Sequence, residues 1–213
     1  MKFCVIGLGR FGYQVAKTLA ENGMEVLGID ANETIIASIR DEITQAVCMQ
    51  VTDEASLRSI GVDEMDVAIV AVGEDFAQSI LITALLKKRL KIKQIVTRAI
   101  NEIHKEILHL VGADRIVLPE KEIGLKLADA LSKPFMELFR LSENFSISQL
   151  KAPVEFIGKS LEELELFKKY KVNCIGINKD GHLNSLQNNY IVQEGDTLMF
   201  SGLNNDLDRI GRL

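Results

Sequence analysis

Three glycines near the start of the chain restrict what its first part can fold into. Gly7-Leu8-Gly9-Arg10-Phe11-Gly12 has the spacing G-x-G-x-x-G and follows directly on an apolar run at residues 2–7. It opens a segment, residues 11–22, that places Val15, Ala16 and Leu19 on one helical stripe. Strand, glycine turn and helix in that order are the setting in which the pattern acquires chemical meaning. Gly7 makes the tight turn, Gly9 lets the backbone approach a phosphate, and Gly12 lets the helix pack closely on the sheet. The N–H groups at the positive end of the helix dipole are then left for an anion.

Asp30 strengthens the reading. It closes the second apolar run, residues 25–30, roughly 20 residues past the glycines, where a carboxylate can accept both ribose hydroxyls. Ala31, Asn32 and Glu33 follow without a nearby Arg or Lys. A 2′-phosphate would meet only negative charge there, so NADP is disfavoured while NAD, ATP and ADP all remain.

Beyond Asp30, apolar strand patterns at residues 45–49, 66–72, 94–98 and 115–118 alternate with helical patterns near 33–40, 53–60, 75–90 and 102–111. Strict alternation predicts an α/β fold with a Rossmann-type, doubly wound parallel sheet of six strands. The continuous apolar run at 66–72 implies burial on both faces. A helix at 122–132 and then Pro134, which lacks a backbone donor, mark the end of this domain. Residues 135–141 and 145–150 alternate like strands, 161–170 read as a helix, and 172–178 and 197–202 as strands. The turns Lys179-Asp180-Gly181 and Glu194-Gly195-Asp196 join them, and a short helix follows at 206–210. The chain therefore reads as a nucleotide-binding domain over 1–134 and a smaller α+β domain over 135–213.

Several function classes fall away. A net charge of −5 provides no basic face to displace counterions from nucleic acid. A NAD(H)-sensing repressor would also need a DNA-binding segment that the pattern does not leave. The opening residues run straight into a strand, with neither a secretory segment nor a membrane span, so a cytoplasmic protein without membrane insertion is expected. Cys4, Cys48 and Cys174 are widely spaced among apolar neighbours and read as small core residues. A NAD-dependent oxidoreductase with an unrecognised site is the alternative, but its candidate groups are poor. His104 and His109 are five apart on one helix, His182 lies in a hairpin turn, and all three read as surface histidines. Tyr13 and Lys17 have a short-chain dehydrogenase spacing on the first helix, beside the phosphate turn rather than the nicotinamide. The basic run Lys87-Lys88-Arg89, with Lys91 and Lys93, reads as a solvated helix C-terminus.

Val5-Ile6-Gly7-Leu8-Gly9-Arg10-Phe11-Gly12, with Asp30 and Asn32, then Ala71-Val72-Gly73, then Gly112-Ala113-Asp114-Arg115-Ile116-Val117 running into Pro119-Glu120-Lys121, closely resembles the RCK domains of Trk/Ktr potassium-uptake regulatory subunits. The likeness extends over nearly the whole chain, as a TrkA-N-like lobe followed by a TrkA-C-like lobe. It implies a non-enzymatic, cytosolic gating subunit that binds ATP/ADP or NAD(H), partners a membrane potassium-translocating subunit and assembles as dimers into an octameric ring. Carried over by position, Asp30 holds the ribose with Asn32 nearby, and Arg10 faces phosphate. Leu8, Phe11, Ala71, Val72, Gly73 and Arg98 complete the nucleotide crevice, and Thr52 and Asp53 stand where the family's small-acid segment lies. Glu120 is the position at which some members bind a divalent or sodium ion at the dimer interface.

Overall fold

The computed structural model describes residues 1–213 apart from 74, 133, 134, 180, 181, 186 and 188, with only the backbone of 179. The stop expected at Pro134 and the turn expected at 180–181 lie outside the described residues. Two compact units result, Met1–Glu120 and Lys121–Leu213.

In the first unit, strands and helices alternate as β1 (Lys2–Ile6), α1 (Arg10–Glu21), β2 (Glu25–Asp30), α2 (Glu33–Ile39), β3 (Gln45–Cys48), α3 (Glu54–Ser59), β4 (Val67–Val70), α4 (Phe76–Ala84), β5 (Gln94–Arg98), α5 (Glu102–Val111) and β6 (Arg115–Val117). All pairings are parallel, in the order β3-β2-β1-β4-β5-β6. The strand order reverses between β1 and β4, which is where a doubly wound sheet opens its ligand crevice. Every residue of β4 is buried, as its continuous apolar run requires of a strand covered on both faces. One core layer gathers Cys4, Ile6, Leu27 and Ile29 against Leu57, Ile82 and Leu86, and the other packs Val5, Val26 and Ile69 on Ala16 and Ile39.

Side chains define where the helices begin. Asn32, Asp53, Asp75 and Asn101 each accept a hydrogen bond from a backbone N–H in the first turn of α2, α3, α4 and α5, the arrangement that satisfies otherwise orphaned donors. The helix expected over 75–90 changes character after Ala84. Leu85–Leu90 wind as a π-helix that stops at Lys91, whose φ of 58° is left-handed.

A further helix, α6 (Pro119–Ser132), begins three residues earlier than expected, since proline is tolerated in a first helical turn. The remainder of the second unit is an antiparallel sheet with small helices. It comprises β7 (Glu137–Arg140), β8 (Phe145–Lys151), α7 (Leu161–Leu164), α8 (Leu166–Tyr170), β9 (Asn173–Lys179), β10 (His182–Asn184), β11 (Thr197–Leu203) and α9 (Asn204–Ile210). Its strand order is β10-β9-β11-β8-β7. Leu150, Phe156, Val172, Ile177, Leu198, Phe200, Leu207 and Ile210 form its core. The single helix expected over 161–170 is broken at Glu165, where φ is 45°. Leu164 and Leu166 are both buried, and a continuous helix would send residues two apart to nearly opposite sides.

Candidate functional site

The carboxyl ends of β1 to β5 surround a cleft of about 1270 Å3. The glycine turn forms its floor. Gly7 has φ 89° and donates its N–H to the carbonyl of Ile29 at 2.8 Å. A Cβ on Gly7 would lie 2.9 Å from the backbone nitrogen of Val72, and one on Gly12 would collide with the Gly7 carbonyl oxygen. These two positions therefore admit only glycine. Gly9 differs, because a Cβ there would meet nothing within 4 Å. It is the N-cap of α1, and no side chain caps that helix start. The first-turn N–H groups of α1 thus face open space beside the cleft, where the helix dipole favours an anion.

Asp30 is held at both oxygens. Oδ2 accepts a 2.6 Å hydrogen bond from the N–H of Leu8, and Oδ1 accepts one of 2.8 Å from the N–H of Asn32. A carboxylate has about four acceptor sites, so two remain for hydroxyls. The Leu8 side chain is buried beside Gly28, where an added Cβ would come within 3.1 Å of it. Leu8 therefore contributes packing and a backbone donor. Asn32 lines the cleft while its Oδ1 caps α2, 2.9 Å from the Thr34 N–H. Arg10 and Phe11 line the cleft, and Arg10 is exposed without an ion pair among the described residues.

Across the reversal point, Ala71, Val72 and Gly73 follow β4, with the Ala71 N–H donating to Ile6 at 2.8 Å. Arg98, the last residue of β5, lays its guanidinium against Gly73, where any Cβ would collide with it. Its Nη2 donates to Glu120 Oε1, and its Nε is buried without a partner among the described residues. The Glu120 carboxyl is held below the usual carboxylate range by its own backbone N–H and by the Arg98 guanidinium, against partial burial. Arg98 and Glu120 both line the cleft.

Thr52 and Asp53 do not line the cleft. Asp53 caps α3 by accepting from the Ser56 N–H at 2.8 Å, and Thr52 donates to Asp53 at 3.1 Å. Met49, Gln50 and Val51 take the cleft position after β3 instead. Asp75 and Gln78 also line the cleft without having been singled out by the sequence, as does Tyr13, which the sequence placed beside the phosphate turn. Tyr13 donates its hydroxyl to the Ser38 carbonyl at 3.2 Å, and Asp75 caps α4.

Two expectations about single residues are corrected. His104 is not a surface histidine: it is fully buried, its ring lies 4.4 Å from that of Phe76, and its Nδ1 accepts from the Ile100 N–H at 3.4 Å. Burial pushes its pKa below the ordinary histidine value. Cys48 is not a core residue but exposed, because β3 is the edge strand of the sheet. Cys4 is buried, and burial pushes the half-buried Cys174 thiol up to about 11. His109 and His182 are exposed, and the cleft is lined by none of the three histidines. Among the described residues no group of three or more His, Cys, Asp or Glu could hold a metal ion, and no helix is long and apolar enough to cross a membrane.

A parallel sheet whose crevice joins a glycine turn, an uncapped helix start and a fixed acid on β2 defines a Rossmann-type domain, here followed by a smaller α+β unit. The chain belongs to the TrkA-N/TrkA-C family: residues 3–119 match the TrkA-N domain and residues 148–213 the TrkA-C domain. It is 37% identical over 210 residues to Ktr system potassium uptake protein A of Bacillus subtilis (strain 168), covering 98% of this chain and 94% of that protein. The fold is shared with the GsuK channel bound to NAD, at TM-score 0.68 and 16% identity over 98% of this chain and 38% of that one. It is also shared with GsuK bound to ADP, at TM-score 0.54 and 26% identity over 62% of this chain and 34% of that one. The chain thus spans well under half the length of these solved chains.

Proposed function

We propose that this chain is a cytoplasmic, nucleotide-binding gating subunit of a potassium-uptake system, with the cleft as its sensor and no catalysis of its own. The observation that carries the reading is the tie between Asp30 and the Leu8 N–H, which fixes a carboxylate next to the open turn at Gly9. Asp30 then holds the ribose, the α1 N–H groups take the phosphates, and Arg10 and Arg98 add positive charge around them. Ala71, Val72 and Gly73 close the opposite wall. Both NAD and ADP are bound by GsuK structures that share this fold, so ATP/ADP and NAD(H) are the candidate ligands.

The likeness to a Ktr potassium-uptake protein over nearly the full length of both chains supports a membrane potassium-translocating partner. Nucleotide exchange would act by favouring one of two arrangements of a homo-oligomer, a dimer or an octameric ring, through differential contacts in each. A cation at Glu120 would first have to displace Arg98 from the carboxylate, and phosphate or symmetry-related oxygens would have to complete its shell. The test is potassium flux through vesicles holding the membrane subunit together with this chain. Flux that depends on which nucleotide is present supports the reading, and flux indifferent to nucleotide overturns it.

A further inference from the structure

Resting on that functional reading, we propose that Glu120 competes with the terminal phosphate of a bound nucleotide for Arg98, so that this ion pair sets how strongly the cleft discriminates among phosphate-chain lengths.

The two partners are unequally placed. The Arg98 side chain is 23% exposed and packs over Gly73, whereas the Glu120 side chain is 67% exposed. The arginine is fixed by the end of β5 and the bare loop after β4, and the acid reaches it from solvent. Glu120 bonds one terminal nitrogen of a guanidinium that carries five donors, and Nε has no partner among the described residues. The buried Nε is closed to a ligand, so the capacity left for a phosphate lies on the terminal nitrogens of a side chain that lines the cleft. An ion pair with so exposed a partner is weak. A terminal phosphate brings more charge and three acceptor oxygens in a geometry that suits a guanidinium. Coulomb attraction then favours the phosphate, and Glu120 gives up its partner to water at small cost.

Two effects of Glu120 are separable. Its charge repels any phosphate nearby, whatever Arg98 does. As a competitor it acts only through Arg98.

The experiment is calorimetric titration of the full chain with ADP and with ATP, in a chelator that removes divalent ions, for the wild type, Glu120→Gln, Arg98→Met and the double variant. Methionine keeps an apolar stem over Gly73, and melting curves check folding. Glu120→Gln should tighten ATP about fivefold, the upper end for an exposed ion pair, and ADP less. The gain should vanish in the Arg98→Met background. An equal gain with and without Arg98 would reduce Glu120 to plain repulsion and overturn the competition. Unchanged or weakened ATP binding in Glu120→Gln would overturn it too, while leaving the nucleotide reading intact. Failure of every form to bind ADP or ATP would overturn the competition and confine the nucleotide reading to NAD(H).

Discussion

Asp30 accepts a 2.6 Å hydrogen bond from the backbone N–H of Leu8, so the acid at the end of β2 is built into the same turn that leads into the uncapped start of α1. In the proposed binding mode this one contact sets the spacing between the ribose and phosphate sites. Asp30→Ala should remove the ribose acceptor and cost about 2 kcal/mol or more of affinity, the scale of hydrogen bonds to a charged group. It should also lower the melting temperature modestly, because the Leu8 N–H loses its partner. Calorimetry and melting curves together check this, and unchanged affinity for ATP, ADP and NAD(H) alike would place the ribose elsewhere.

Arg10 stands at the open start of α1 without an ion pair among the described residues. Backbone donors there can hold two phosphates but do not distinguish two from three. The long guanidinium can. Arg10→Ala should weaken ATP by about tenfold or more while leaving ADP and NAD nearly unchanged. Equal losses for ATP and ADP in the same titrations would assign Arg10 to the shared phosphates only.

The three thiols should separate by reactivity. Cys4 is buried, with its pKa pushed well up by burial, and Cys174 is raised to about 11. Only the thiolate reacts, so native protein at neutral pH should be labelled at the exposed Cys48 alone, with the other two reacting after denaturation. Mass spectrometry of alkylated protein gives the count, and fast native labelling at Cys4 would contradict the packing described.

His104 predicts an acid limit to stability. Burial lowers its folded pKa, so as pH falls through the ordinary histidine range near 6.5 the unfolded chain gains a proton that the folded chain refuses. Stability is then lost progressively down to the folded pKa. His104→Phe, placed against Phe76, should flatten the melting temperature between about pH 7 and 5, and an unaltered slope would assign the acid sensitivity to other groups. Acids with depressed values such as Asp53 and Glu163 act at lower pH, within the carboxylate range.

Why some features were legible in the sequence and others were not has a physical basis. Gly7 and Gly12 have no alternative at their positions, and β4 is buried on both faces, so pattern and structure coincide there. A Thr-Asp pair such as Thr52 and Asp53 serves helix capping as readily as ligand binding, and only coordinates separate the two. The burial of His104 depends on Phe76 from another helix, and the exposure of Cys48 depends on β3 being the edge strand. Neither is a local property. The strand at His182–Asn184 is exposed throughout and leaves no alternating pattern to detect. Glu165 breaks its helix because Leu164 and Leu166 are both drawn into one core, which sequence periodicity registers only as a continuous helix.

The central claim is that the cleft binds an adenine nucleotide through Asp30 and the turn at Gly9 without consuming it. Thermal unfolding with increasing ATP, ADP, NAD and NADH tests this most directly, since a ligand that binds only the folded state stabilises it by RT ln(1 + [L]/Kd). The melting temperature should rise with the concentration of at least one of these nucleotides, the rise should be strongly reduced in Asp30→Ala, and the nucleotide should be chemically unchanged after incubation. No shift with any of the four, or an equal shift in Asp30→Ala, would contradict it.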